Sequence, residues 1–133
     1  MSFVFDAGPL VAYIKGEPGF NVVRDLLRDN PGQCYAHAVN LCEVFYPVLR
    51  AEGLGAAQRV MADFAAVGIQ TREDMDAAFW QSAAGYKAAY SMSLADAFCV
   101  ALANRMGAEL VTSDRHELAP LLDDGVAKIT FIR

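Results

Sequence analysis

The chain has 133 residues, 55% of them hydrophobic, enough to bury roughly two thirds of its unfolded surface and well outside the disordered range. A net charge of −5 gives it no basic footprint of the kind that holds nucleic acid nonspecifically. That balance leaves a nuclease open, because a cation seated in an acidic pocket reverses the local sign.

No apolar run approaches the ~18 residues of a membrane span. The N-terminus has neither a basic n-region nor a signal-like core, so a cytoplasmic protein is expected. No repeat or shift in composition divides the chain, and one domain over residues 1–133 is expected.

In chain order, Phe3-Val4-Phe5 is a short apolar run ending on Asp6 and bounded by Gly8-Pro9, which reads as a buried strand. Pro9 to Lys15 reads as a short helix, with proline allowed in its first turn. A loop at Gly16–Gly19 leads to a second helix from Phe20 to Asp29, stopped by Asn30-Pro31-Gly32. Cys34-Tyr35-Ala36 is a weak strand. A long helical pattern runs from about Ala38 to Glu52, bent near Pro47, which has no N–H for the Glu43 carbonyl.

Gly55 to Ala66 is the next helix, with Val60, Met61 and Phe64 as its apolar stripe. Val67 to Thr71 reads as a strand, and Arg72 to Tyr90 as a helix on the spacing of Met75, Phe79, Ala83 and Tyr86. Ser93 to Met106 is helical and closed by Gly107. Glu109 to Thr112 is a strand ending on Ser113-Asp114, and Lys128 to Ile132 is the last strand, after a turn at Asp123-Asp124-Gly125. Strands alternating with helices predict an α/β domain with a mostly parallel sheet.

The candidate chemistry lies in carboxylates. Asp6 ends the first strand, where open α/β sheets place their ligands, although an acid before Gly-Pro also suits a turn. Glu43 shares a helix face with Asn40 at i, i+3 amid apolar neighbours, where an unpaired carboxylate costs several kcal/mol. Ser93-Leu94-Ala95-Asp96 fits a capping box, yet the helix that follows is apolar almost all round. Asp114 follows an apolar strand and suits the cap of a short helix, with Glu117 three residues on. Two carboxylates ~4 Å apart repel by about 4 kcal/mol at an effective dielectric near 20, so gathering them calls for a cation. Oxygen ligands without histidine or cysteine favour Mg²⁺ or Mn²⁺ over zinc. A zinc site from Cys34, His37 and Cys42 lacks a second ligand pair at finger-like spacing, and an odd three cysteines read as reduced thiols.

With those residues in view, the sequence resembles the PIN-domain ribonucleases, specifically the small VapC-type toxins of toxin–antitoxin pairs. The matching stretches are Phe3-Val4-Phe5-Asp6-Ala7-Gly8-Pro9-Leu10, Asn40-Leu41-Cys42-Glu43-Val44, Ser93-Leu94-Ala95-Asp96-Ala97 and Leu110-Val111-Thr112-Ser113-Asp114. The resemblance implies a three-layer α/β/α sandwich with a five-stranded parallel sheet, and an acidic metal site made by Asp6, Glu43, Asp96 and Asp114. It implies metal-assisted hydrolysis of RNA phosphodiesters, with Asp6, Asp96 and Asp114 as ligands of Mg²⁺ or Mn²⁺. Glu43 would assist the attacking water, and Asn40 and Ser93 would orient carboxylates. Glu117 is an uncertain member. Ala7 stands where many relatives carry Ser or Thr, and Ser113 where a basic residue is frequent.

Lys15, Lys87 and Arg115 are candidates for tracking an RNA backbone, though each also suits an ordinary solvated surface. Tyr13, Phe45, Tyr46, Phe64 and Trp80 default to the core, with some left for a homodimer seam or a groove for an antitoxin helix. A free-standing RNA-processing nuclease of the same family is the nearest alternative. A dehalogenase-like phosphatase wants a second acid where Gly8 stands. A receiver-like Mg²⁺-binding signalling module wants adjacent acids near the first strand and a lysine after the last, whereas Lys128 precedes it.

Overall fold

The computed structural model describes residues 1–133. Its elements in order are β1 (Phe3–Phe5), α1 (Ala7–Lys15), α2 (Phe20–Asp29), β2 (Cys34–His37), α3 (Ala38–Glu52), α4 (Leu54–Ala66), β3 (Ile69–Arg72), α5 (Ala77–Ala89), α6 (Leu94–Met106), β4 (Glu109–Thr112), α7 (Arg115–Asp123) and β5 (Ile129–Phe131). The strands form one five-stranded sheet in the order β3-β2-β1-β4-β5, and every pairing is parallel.

Parallel strands buried on both faces need apolar residues pointing both ways, and β1 supplies them. Phe3 and Phe5 pack with Leu10, Val23, Leu27 and Phe64 from α1, α2 and α4. Val4 points to the other face, among Phe79, Leu102, Leu118 and Leu121 from α5, α6 and α7. The result is a three-layer α/β/α sandwich. Helix α3 runs through the junction of the layers, with Val44 in the first cluster and Val39 packed on the second. It continues past Pro47, which sits on its exposed side.

The strand order places the crevice. The chain lays β2 and β3 to one side of β1, then crosses over to lay β4 and β5 on the other. Connections leave β1 and β4 in opposite directions, opening a gap at their carboxyl ends, where sheets of this kind bind ligands. Phe5 pairs with Val111, so Asp6 and the Thr112–Asp114 segment emerge side by side.

Two expectations change. The helix expected from Arg72 begins only at Ala77, and β3 runs to Arg72. The reason is ionic and mostly non-local: Arg72 binds the Asp74 carboxylate at 2.9 and 3.0 Å, and Arg105 of α6 reaches Asp74 at 3.1 Å. Arg105 also grips Asp76 at 2.6 and 2.8 Å, while Asp76 caps α5 by accepting from the Phe79 N–H. Met75 is exposed, so its helical spacing was coincidental. Of the aromatic residues, Phe64 is buried and Tyr13 stacks on Phe20, but Tyr46 and Trp80 remain 50% and 47% exposed. Cys34 and Cys99 are buried while Cys42 is exposed, and no zinc site forms with His37, whose two nitrogens are both engaged elsewhere. No helix is long and apolar enough to cross a membrane.

Candidate metal centre

Three helices begin around the crevice, and each start is an acid or is held beside one. Asp6 caps α1, its Oδ1 accepting the Ala7 N–H at 2.8 Å. Ser93 caps α6 by accepting the Asp96 N–H at 3.1 Å, which seats Asp96 in the first turn. Asp114 caps α7, accepting the Glu117 N–H at 3.1 Å and placing Glu117 in that first turn. Helix N-termini carry partial positive charge and free N–H groups, which lowers the cost of setting carboxylates there.

Helix α3 adds Asn40 and Glu43. Asn40 is fully buried, and its Nδ2 donates to Asp6 Oδ1 at 3.4 Å, to Glu43 Oε1 at 3.5 Å and to the Ala95 carbonyl at 3.2 Å. One amide therefore joins α3 to β1 and α6. Ser93, expected to orient a carboxylate, does so chiefly by fixing the helix turn that carries Asp96.

Carboxylate oxygens of Asp96, Asp114 and Glu117 lie within 4.8 Å of one another. Glu117, uncertain from the sequence, thus stands inside the group because α7 starts immediately after Asp114. Burial first, then the charge of Asp6, pushes Asp96 up to about 7, with the Ser93 hydroxyl pulling the other way and Asp114 and Glu117 adding to the rise. Burial likewise pushes Asp6 up to about 6, against the Ala7 N–H and the Thr112 hydroxyl, with Glu43 and Asp114 raising it further. Glu43 is raised by burial and by Asp96, and held down by Asn40. Asn40 bonds both Asp6 and Glu43, Thr112 links Asp6 to the backbone of Asp114, and Asp114 lies beside Asp96 and Glu117, so the acids at the end of β1, on α3 and at the starts of α6 and α7 are neighbours.

Thr112 is the functional position the sequence reading passed over. It is fully buried, its hydroxyl donating to Asp6 Oδ2 at 2.9 Å and accepting the Asp114 N–H at 3.1 Å. In the sequence it looked like the last residue of an apolar strand, and only the β1–β4 pairing reveals the link.

Lys87 donates to the Met92 carbonyl at 2.8 Å. Arg115 donates to the Arg133 carbonyl at 2.7 Å and covers the Phe131 ring. Lys15 is exposed in the last turn of α1, at the end opposite Asp6.

The donor set tests whether a cation fits. It is all carboxylate oxygen, with no imidazole. The Cys99 thiol on α6 is fully buried, and burial together with the charges of Asp6, Asp96 and Glu43 holds it protonated. Hard oxygen donors crowded beyond their mutual repulsion suit a hard dication such as Mg²⁺ or Mn²⁺.

Known structures share this arrangement of elements. A toxin–antitoxin complex from Klebsiella pneumoniae superimposes with a TM-score of 0.75 at 18% identity, covering 99% of this chain and 98% of that one. A DNA-bound VapBC from Salmonella typhimurium gives 0.78 at 15% identity, covering 100% and 99%. VapC20 of Mycobacterium tuberculosis, described as a sarcin–ricin loop cleaving toxin, gives 0.65 at 18% identity, covering 82% and 87%. No curated protein sequence matches the chain. The PIN domain family matches residues 3–119, every acid of the crevice among them, and the chain belongs to that family.

Proposed function

We propose that this chain is a divalent-metal-dependent ribonuclease acting as the toxin of a toxin–antitoxin pair. The observation that supports it is the convergence of Asp6, Glu43, Asp96, Asp114 and Glu117 on one crevice, at a cost in repulsion and burial that a fold alone has no use for.

Asp96, Asp114 and Glu117, with Asp6 beside them, would hold Mg²⁺, or Mn²⁺ in its place. When bound, the cation supplies charge neutralisation at the scissile phosphate and acidifies the attacking water. Asp6 is held in one rotamer by Thr112, Asn40 and the Ala7 N–H, so the pocket is arranged before any ligand arrives. Glu43 is only half buried and its basicity is raised, which suits it to take the proton of the attacking water at the cleft mouth. Attack forms the new P–O bond as the bond to the leaving oxygen breaks, and solvent returns a proton to that oxygen.

The toxin role draws on the fold. Structures of toxin–antitoxin complexes match this chain along nearly its whole length and theirs. Tyr46, Leu49 and Leu54 are exposed on α3 and α4, giving an antitoxin an apolar surface to cover. Trp80 on α5 offers a second such surface, for a homodimer. Arg115, which follows Asp114 and spends only its Nε–H on the Arg133 carbonyl, keeps its other N–H groups for tracking an RNA backbone.

The test is cleavage of total RNA by the purified chain with Mg²⁺, with EDTA, and by Asp6→Asn, the cut sites being mapped by sequencing. Cleavage that requires the cation and fails in the variant is expected. EDTA-resistant cleavage, or full activity of Asp6→Asn, overturns the assignment.

A further inference from the structure

We infer that His37 is a positioning residue for the acidic crevice, fixing the first turn of α3 and hence Asn40 and Glu43. The inference uses the nuclease reading for one of its two readouts only.

His37 is the last residue of β2 and the N-cap of α3, and it is 1% exposed. Its Nδ1 accepts the Val39 N–H at 3.0 Å. Nε2 therefore carries the proton, and it donates to the Asp74 carbonyl at 2.9 Å. The ring packs in a three-ring cluster with Phe79 of α5 and Phe98 of α6, its centroid 5.2 and 5.4 Å from theirs and the two phenylalanines 5.8 Å from each other. A buried place beside two packed phenylalanines would take a third with no polar group to desolvate. A histidine there makes sense through its two nitrogens, each of which reaches a different segment.

Those segments bear on the site. Asn40 is the third residue of α3, in the turn that the His37 acceptor closes. Its two N–H groups are shared among three acceptors at 3.2 to 3.5 Å, the long end of hydrogen-bond range, so a small shift of the turn breaks these bonds. On the other side, Asp74 is clamped by Arg72 and Arg105, which makes its carbonyl a fixed anchor. The cap bond thus sets the first turn of the helix that orients Asp6 and carries Glu43, and the Asp74 bond holds the tautomer that leaves Nδ1 free to accept it.

Positioning and plain packing predict opposite orders for two substitutions. Asparagine keeps a strong cap acceptor and abandons the stack, whereas phenylalanine keeps the stack and abandons the cap. The first readout is the side-chain amide signal of Asn40 by ¹⁵N NMR in the metal-free full chain. The second is kcat and KM for RNA cleavage in saturating Mg²⁺, well below each variant's Tm.

His37→Asn should leave the Asn40 signals in place and kcat within about threefold, whereas His37→Phe should displace them and lower kcat about tenfold or more at unchanged KM. Should His37→Phe fail to fold, His37→Leu, which also fills the space without an acceptor, takes its place. Wild-type Asn40 signals in the Phe or Leu variant, or equal damage from Asn, overturns the inference. Displaced signals in a chain that cleaves no RNA would leave the positioning role standing and remove the nuclease reading.

Discussion

Asp6 and Asp96 keep their protons to higher pH in the folded chain than the ordinary carboxylate value of 3.8. Between about pH 4 and pH 7 the native state therefore binds more protons than the unfolded chain, and stability falls as pH rises through that window. In EDTA, the Tm is expected to be higher at pH 5 than at pH 8. Asp96→Asn should flatten that slope and raise the Tm at pH 8, since a neutral amide relieves the repulsion; thermal melts across the range check both. Cysteine behaviour follows from burial in the same way. A thiol reagent should modify Cys42 rapidly in the native chain and reach Cys34 and Cys99 only on unfolding, as peptide mass spectrometry would show. Fast native labelling of Cys99 would mean that α6 opens in the native chain.

At the scale of elements, the acids double as structural residues, and suitable substitutions separate the two duties. Asp114→Asn keeps the α7 cap, so metal-free stability should hold while the Mg²⁺-induced rise in Tm shrinks. Asp114→Ala loses both, at a further cost of about 1 kcal/mol measurable by urea melts. Arg105→Gln should lower stability only modestly, because its partners are partly solvated, and the loss should diminish in urea melts at high salt. What the sequence disclosed divides along the same line. Val4, Cys99 and Val111 lie in runs whose apolar character is local, so β1, α6 and β4 could be read directly, and with them the positions of Asp6, Asp96 and Asp114. The start of α5 could not be read, because Arg105 lies 29 residues from Asp76 and no local pattern announces their pairing. Thr112 was missed for a related reason, since its link to Asp6 needed the neighbour across β1, whereas Glu117 was legible as a candidate three residues after a cap at Asp114 but not as a member of the group.

Across the whole molecule, a cation that binds only the assembled crevice must stabilise the fold. At a hundred times its Kd, Mg²⁺ or Mn²⁺ should add about 2.7 kcal/mol, seen as a higher Tm. No such rise would remove the metal site altogether. The sheet order adds a consequence for how the chain is made. The strand at the centre leaves the ribosome first, yet the hydroxyl that grips its terminal acid lies 106 residues later. At about 5–20 residues per second, the nascent chain spends on the order of 5–20 s with Asp6 in place and no pocket around it. Any product abandoned before β4 is translated would be inert, so harm to the host, if the chain is a toxin, begins only near the end of each round of synthesis.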